Sequence, residues 1–281
     1  MTTIPTNANT TPTIVETTQS ALLNHARPQR PSALAVTLTF AWRAILKLVR
    51  IPEQLADVIA IPIIFTLLFT YLFGGALAGS TGAYLRFLLP GTLAMTVLLV
   101  TVSAGIGLNT DVTSGVFDRF RTTPIWRPAP IVGVLLGDIG RYLLASTLVI
   151  ALGLALGFRP AGGVVGVLLA VALVVLFALS LSWVWMTLGL VARTPGAVMN
   201  IGTTILFPLT IASNVFVQPR TMPGWLQALI NINPVTHLVT AARGLMAGVA
   251  PAGEIIWVLL ACLALTAIFA PLTLYLYRNK R

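Results

Sequence analysis

The chain of 281 residues is 57% hydrophobic and only 9% charged, and its 17 Lys and Arg residues outnumber its 7 Asp and Glu residues. An ordinary soluble domain carries about 25% charged residues, so this composition excludes a soluble globular protein and predicts an integral membrane protein. The apolar runs are continuous, unlike the alternating strands of a β-barrel, and the charges lie between them, so the net charge of +10 indicates membrane orientation rather than nucleic-acid binding.

The N-terminal region precedes the first long apolar run. Residues 1–20 contain eight threonines but no basic residue and no apolar core, which is unlike a secretory signal. We therefore expect residues 1–32 to form a disordered cytoplasmic tail. In residues 33–50, apolar side chains recur at helical spacing while Arg43, Lys47 and Arg50 share another face. This pattern predicts an amphipathic helix at the membrane interface.

The apolar runs that follow are long enough to cross a bilayer, which requires about 20 residues per helix. Six transmembrane spans are predicted, near residues 57–79, 88–110, 136–158, 164–190, 197–218 and 255–277. The third span includes Asp138 and Arg141, which lie three residues apart on one helix face. This spacing predicts an ion pair.

A seventh charge-free run, residues 221–242, is interrupted by prolines and by polar residues such as Asn231 and Asn233. Irregular backbone is tolerated at membrane depth only where protein or water shields it. We therefore predict a re-entrant or interfacial helical hairpin at residues 221–245, before the last span. His237 within it either hydrogen-bonds inside the hairpin or senses pH.

The distribution of basic residues orients these spans. With the N-terminus inside, twelve of the 17 Lys and Arg residues lie on the cytoplasmic side, four lie outside, and Arg141 lies at the border. Cytoplasmic loops are the ones enriched in Lys and Arg, so we expect both termini to be cytoplasmic. A seventh full span at 221–242 would place the basic C-terminus outside, so the rule favours six spans.

Several kinds of chemistry are missing from the sequence. There is no G-x-x-x-x-G-K-[ST] phosphate loop, so we expect no ATP hydrolysis by this chain. No cluster of His, Cys and carboxylates predicts a metal site, and the single cysteine, Cys262, cannot form an internal disulfide. No Asp or Glu lies in the middle of a predicted span, where ion-coupled transporters usually carry ionisable groups. Energy for transport is therefore expected from a partner.

Two groups of residues are candidates for function. The longest internal cytoplasmic segment, residues 111–135, either docks a partner or is a solvated loop whose arginines set the topology. Its candidate docking residues are Phe117, Asp118, Arg119, Phe120 and Arg121. The fifth span carries polar residues that either line a cargo path or hydrogen-bond between packed helices. These are Asn200, Thr203, Thr204 and Asn214.

Five short motifs add a family resemblance. They are RIPEQL (50–55), YLRFLLPG (84–91), GVFDRFRTTP (115–124), MPGWL (222–226) and NPVT (233–236) followed by Arg243. In their order and spacing they resemble motifs of the membrane subunits of type-2 ABC exporters, especially the daunorubicin and multidrug-resistance permeases. On this resemblance, residues 33–281 form an ABC type-2 transmembrane domain.

The resemblance implies a permease in a bacterial plasma membrane, working as a homodimer or heterodimer surrounded by membrane lipid. Two copies of a separate ABC ATPase subunit would bind ATP and Mg²⁺, so this chain would be neither an enzyme nor cofactor-dependent. The segment around Asp118 to Arg121 would be the coupling helix, and Arg43, Lys47 and Glu53 would form a second contact. The implied function is export of a hydrophobic or amphipathic drug or lipid-like cargo, and hence antibiotic resistance. The alternatives are an ion-coupled secondary multidrug transporter and an ABC exporter of a glycan or glycolipid.

Overall fold

The computed structural model describes residues 52–115, 129–219 and 222–279, together with Thr37, Thr39, Trp42 and Leu46. These four residues are helical and fall within the range 33–50. The described segments contain eight helices and no β-strand. In chain order the helices are α1 (Pro52–Ala78), α2 (Thr81–Thr113), α3 (Ala129–Ala155), α4 (Gly163–Val191), α5 (Pro195–Ile211), α6 (Gly224–Ile232), α7 (Pro234–Met246) and α8 (Ala252–Asn279).

Four of these helices, α2, α3, α4 and α8, are long and apolar enough to cross a membrane. They coincide with the second, third, fourth and sixth predicted spans, which confirms an all-helical, multi-pass membrane protein. α8 also exposes large apolar side chains along its length, as a lipid-facing helix does. They include Trp257, Leu260, Leu263, Ile268 and Tyr275.

The other two predicted spans correspond to α1 and α5. α1 has 27 residues and reaches about 40 Å at 1.5 Å per residue. α5 has only 17 residues, or about 25 Å, because the helix ends at Ile211 although the charge-free sequence continues beyond residue 218. Residues 212–218 are turns and bends instead, so the fifth helix is shorter than predicted.

α2 and α4 form the centre of the fold. Trp185 of α4 donates a hydrogen bond through Nε1 to Thr101 Oγ1 of α2 at 2.8 Å. Near the ends of both helices, Asn109 Nδ2 donates to the carbonyls of Gly189 and Ala192 at 2.8 Å each. Such polar contacts hold helices together where both sides are apolar.

Two glycines let α2 and α4 approach closely. A methyl group at Gly105 would overlap the carbonyl of Trp185, and one at Gly189 would overlap the carbonyl of Gly105. Since these obstacles are backbone atoms, only glycine fits at either position without moving a helix.

α3 is joined to α2 through the predicted ion pair. Arg141 Nη1 lies 3.1 Å from Asp138 Oδ1, which confirms the pairing expected from their spacing. The same nitrogen donates a hydrogen bond to Ser103 on α2. The pair thus compensates a buried charge within α3 and also orients α3 on the central helices.

Candidate functional site

The predicted coupling residues lie mostly outside the described part of the chain. This holds for Arg43, Lys47 and the segment 117–121. Glu53 lies in the first turn of α1. α2 ends at Thr113, immediately before the coupling motif, and Gly115 has a φ of 71°. Glycine adopts this left-handed conformation readily and commonly ends helices.

Three of the four predicted cargo-path residues share one face of α5. Asn200, Thr203 and Thr204 are all exposed, and their spacing of three and four residues places them on one side of the helix. They are interspersed with exposed apolar side chains. These are Met199, Ile205, Phe207 and Ile211.

α5 is attached to the rest of the fold along a single narrow stripe. Its buried residues are Val198, Gly202, Leu206 and Thr210, which recur every fourth residue. A helix buried inside a bundle would have a wider apolar contact face. The opposite face of α5 is therefore a broad free surface with polar groups set among apolar ones.

Asn214, the fourth predicted cargo-path residue, does not lie on this surface. It belongs to the non-helical segment 212–218, and it is only 4% exposed. Its Nδ2 donates to Thr240 Oγ1 of α7 at 2.8 Å. The position fits a hydrogen bond between packed elements, which was the alternative expected from the sequence.

Segment 212–218 has backbone groups that no helix satisfies, and neighbouring side chains satisfy them instead. Asn233 Nδ2 donates to the carbonyls of Leu209 and Ala212 at 2.7 Å each. Its Oδ1 accepts from the backbone N–H of Val235 at 2.9 Å. One asparagine therefore caps the end of α5 and the start of α7 together.

Arg243 of α7 also binds this segment. Its Nη2 donates to the carbonyl of Asn214 at 3.0 Å, and its Nε donates to the carbonyl of Phe87 at 3.1 Å. The guanidinium carbon lies 3.9 Å from the centre of the Phe87 ring, a cation–π distance. Arg243 thus joins α2, α7 and segment 212–218.

α2 completes the support of this segment. Tyr84 donates its hydroxyl hydrogen to the carbonyl of Phe216 at 2.9 Å. A methyl group built at Gly91 would lie 2.9 Å from the carbonyl oxygen of Val215, so glycine is required for this close approach. We call Tyr84, Asn233 and Arg243 the clamp of segment 212–218.

The clamp explains why several motifs occur together in the sequence. Tyr84 and Gly91 come from YLRFLLPG, Asn233 comes from NPVT, and Arg243 follows it. From the sequence these were motif members without an assigned role. The sequence did indicate that these residues have partners, since a polar residue in so apolar a chain requires one. The partners are backbone carbonyls, however, and no pattern of side chains identifies them.

Comparison with known proteins now assigns the family. The model of the ABC-2 type transporter family matches residues 35–247, about three quarters of the chain. The chain belongs to the ABC-2 type transporter family. It is therefore a transport permease subunit, as the resemblance predicted.

Relatives of this ABC-2 permease include drug-resistance proteins. The daunorubicin resistance ABC transporter permease protein DrrB1 of Streptomyces coeruleorubidus is 46% identical over 280 residues, which cover 100% of this chain and 99% of the relative. The inner membrane transport permease YadH of Escherichia coli is 26% identical over 192 residues, 65% of this chain and 72% of the relative. The probable doxorubicin resistance permease DrrC of Mycobacterium tuberculosis is 24% identical over 135 residues, 48% of each chain.

Proposed function

We propose that this ABC-2 permease exports a hydrophobic or amphipathic drug of the daunorubicin kind across a bacterial plasma membrane. The observation that carries this proposal is the 46% identity to a daunorubicin resistance permease over nearly the whole of both chains. The broad, mixed surface of α5 supports it, because a planar amphipathic drug needs apolar walls with a few hydrogen-bonding groups.

In the proposed assembly, two permease subunits face each other across their α5 surfaces. Cargo passes between them along Asn200, Thr203 and Thr204, with the apolar side chains of α5 as walls. A helix held along one stripe suits this role, since most of its circumference is free for a second subunit and for cargo. The permease partner is a second copy or a related chain.

The energy enters from two copies of a separate ABC ATPase, which bind ATP and Mg²⁺. The coupling helix would be the segment Phe117, Asp118, Arg119, Phe120 and Arg121. Its position directly after Gly115 connects it to α2, the most buried of the candidate spans. Movement of the ATPase dimer would therefore reach the central helices directly, with Arg43, Lys47 and Glu53 as a second contact.

The proposed topology has six spans with both termini in the cytoplasm. α1 and α5 complete the six with the four long helices, and segment 212–218 extends α5 toward the outer face. The hairpin of α6 and α7 does not cross the membrane. α6 supports this arrangement because Trp225, Leu229 and Ile232 form an exposed apolar face, which is typical of a helix lying in the interface.

The test uses inverted membrane vesicles that contain this chain and an ABC ATPase subunit. We expect ATP-dependent daunorubicin uptake that persists when a proton ionophore is added. The double variant Asp118→Arg, Arg121→Asp should lose most of this uptake, whereas Arg159→Gln, an exposed arginine between α3 and α4, should keep it.

Two results would contradict the proposal. Nucleotide-independent uptake that collapses with the ionophore would identify an ion-coupled transporter. ATP-dependent movement of a glycolipid without any movement of daunorubicin would identify a glycan or glycolipid exporter.

A further inference from the structure

A histidine and a carboxylate meet where the hairpin adjoins α8. His237 of α7 places its Nδ1 2.6 Å from Oε2 of Glu254, in the first turn of α8. Its other ring nitrogen, Nε2, lies 2.9 Å from the backbone carbonyl oxygen of Asn231 in α6. The ring also stacks on Trp257, with centroids 5.6 Å apart. The imidazole on α7 therefore contacts two other helices, α6 and α8.

Both nitrogens of this ring face hydrogen-bond acceptors. A carboxylate and a peptide carbonyl accept hydrogen bonds and donate none, whereas neutral imidazole has a single N–H. Neutral His237 would leave one bare nitrogen lone pair against an oxygen lone pair. Only the imidazolium donates to both Glu254 and Asn231, and its positive charge also pairs with the carboxylate.

In the described helices around α7, no charged group other than Glu254 faces His237. α4 and α6 contain no charged residue. On α2, Arg86 bonds its own helix at the carbonyl of Gly82, while Asp111 lies at the opposite end of that helix. On α8, Arg278 lies in the last turn, far from Glu254. On α7 itself, Arg243 is bound to Phe87 and Asn214.

We infer that His237 and Glu254 form a proton-dependent latch that fastens α6 and α7 to the start of α8. The latch is closed while His237 carries its second proton, and it loosens when that proton leaves. The two side chains are 20% and 34% exposed, so the pair lies at the surface of the subunit and not in its core. The side of the membrane that supplies the protons rests on the proposed function. In that topology the latch faces the external medium.

A thermal-unfolding experiment on the full chain in lipid nanodiscs tests the latch. The pair stabilises the fold while His237 is protonated, so the Tm should be lower at about pH 8 than at about pH 5. The expected result is therefore a decrease in Tm with rising pH. His237→Gln and Glu254→Gln should each remove this decrease. His25→Gln, which changes the chain's other histidine, should retain it.

Fluorescence supplies a second, local readout. An imidazolium quenches a stacked indole more strongly than neutral imidazole does, so emission from Trp257, taken as the difference between the wild type and Trp257→Phe, should rise over the same pH range. The latch is refuted if this emission stays constant with pH, or if the fall in Tm persists in His237→Gln. Neither measurement uses ATP, an ATPase or cargo, so failure here leaves the export proposal intact, and failure of export leaves the latch intact.

Discussion

Asp138 and Arg141 show what a charge requires inside this charge-poor chain. Asp138 is 2% exposed, and one of its oxygens, Oδ2, has no hydrogen-bond partner within the described residues. Its carboxylate is compensated by Arg141 at 3.1 Å, which in turn bonds Ser103 on α2. Because a buried charge without a partner is very costly, the two residues depend on each other.

Replacing Arg141 alone should therefore destabilise the protein more than replacing both residues. Arg141→Met leaves the Asp138 carboxylate buried and unpaired, at a cost of about 3–5 kcal/mol. The double variant Asp138→Asn, Arg141→Met should recover a large part of this loss. Thermal unfolding in detergent measures both, with Arg159→Met as the matched control on an exposed arginine. Equal losses for the single and double variants would show that the pairing does not matter.

At the scale of elements, the contact between α2 and α4 depends on glycine. The backbones meet at Gly105 and Gly189, with carbonyl groups where any side chain would begin. This differs from α5, which contacts the rest of the fold through a stripe of only four buried residues, spaced four apart between Val198 and Thr210. The central pair is thus held by close backbone packing, and the peripheral helix by a thin line of side chains.

Gly189→Ala tests this contact. The added methyl group would meet backbone atoms that cannot rotate away, so we expect a loss of about 1–3 kcal/mol of stability and a lower Tm. Gly107→Ala is the matched control, because it lies on α2 with no atom near the added methyl group, and alanine there favours the helix by about 1 kcal/mol. A Tm for Gly189→Ala equal to that of Gly107→Ala would contradict the close packing.

The helices also show how much of the fold could be predicted from the sequence. Charge-free runs located α2, α3, α4 and α8, since few residues other than apolar ones can face lipid. The prediction placed the end of the fifth span too late, because residues 212–218 remain free of charges. Their carbonyls bond Asn233, Arg243 and Tyr84 instead of continuing a helix. The pair Asp138–Arg141 was predictable from local spacing. The clamp joins residues more than a hundred positions apart, so no local pattern could predict it.

For the whole molecule, the number of membrane crossings decides where the C-terminus lies. The proposed six spans leave residues 80 and 281 on opposite sides. A crossing by the α6–α7 hairpin would bring them to the same side. The C-terminal position therefore separates the two topologies.

Thiol labelling of intact cells measures this position. In a Cys262→Ala background, Ser80→Cys should react with a membrane-impermeant thiol reagent, and Arg281→Cys should react only after permeabilisation. The background variant without an added cysteine is the control. Labelling of Arg281→Cys from outside intact cells would overturn the six-span topology.

The proposed dimer predicts a contact between α5 helices. In the same background, oxidation of Thr203→Cys in membranes should produce a covalent dimer, because the exposed α5 surfaces face each other in a homodimer. Leu263→Cys, also exposed but on α8, should remain monomeric. Equal dimer yields for the two variants would indicate random collision rather than a defined interface. For a heterodimer, the second cysteine belongs on the related permease.

Where α2 and α4 cross, the backbones of the two helices are in direct contact, with no side chain between them. A contact between side chains can yield by changing rotamers, but touching backbones offer no such adjustment. We therefore expect the two helices to move together when the subunit changes shape. A change of shape would then be taken up by helices that bury few residues, and α5, with four buried residues, is one of them.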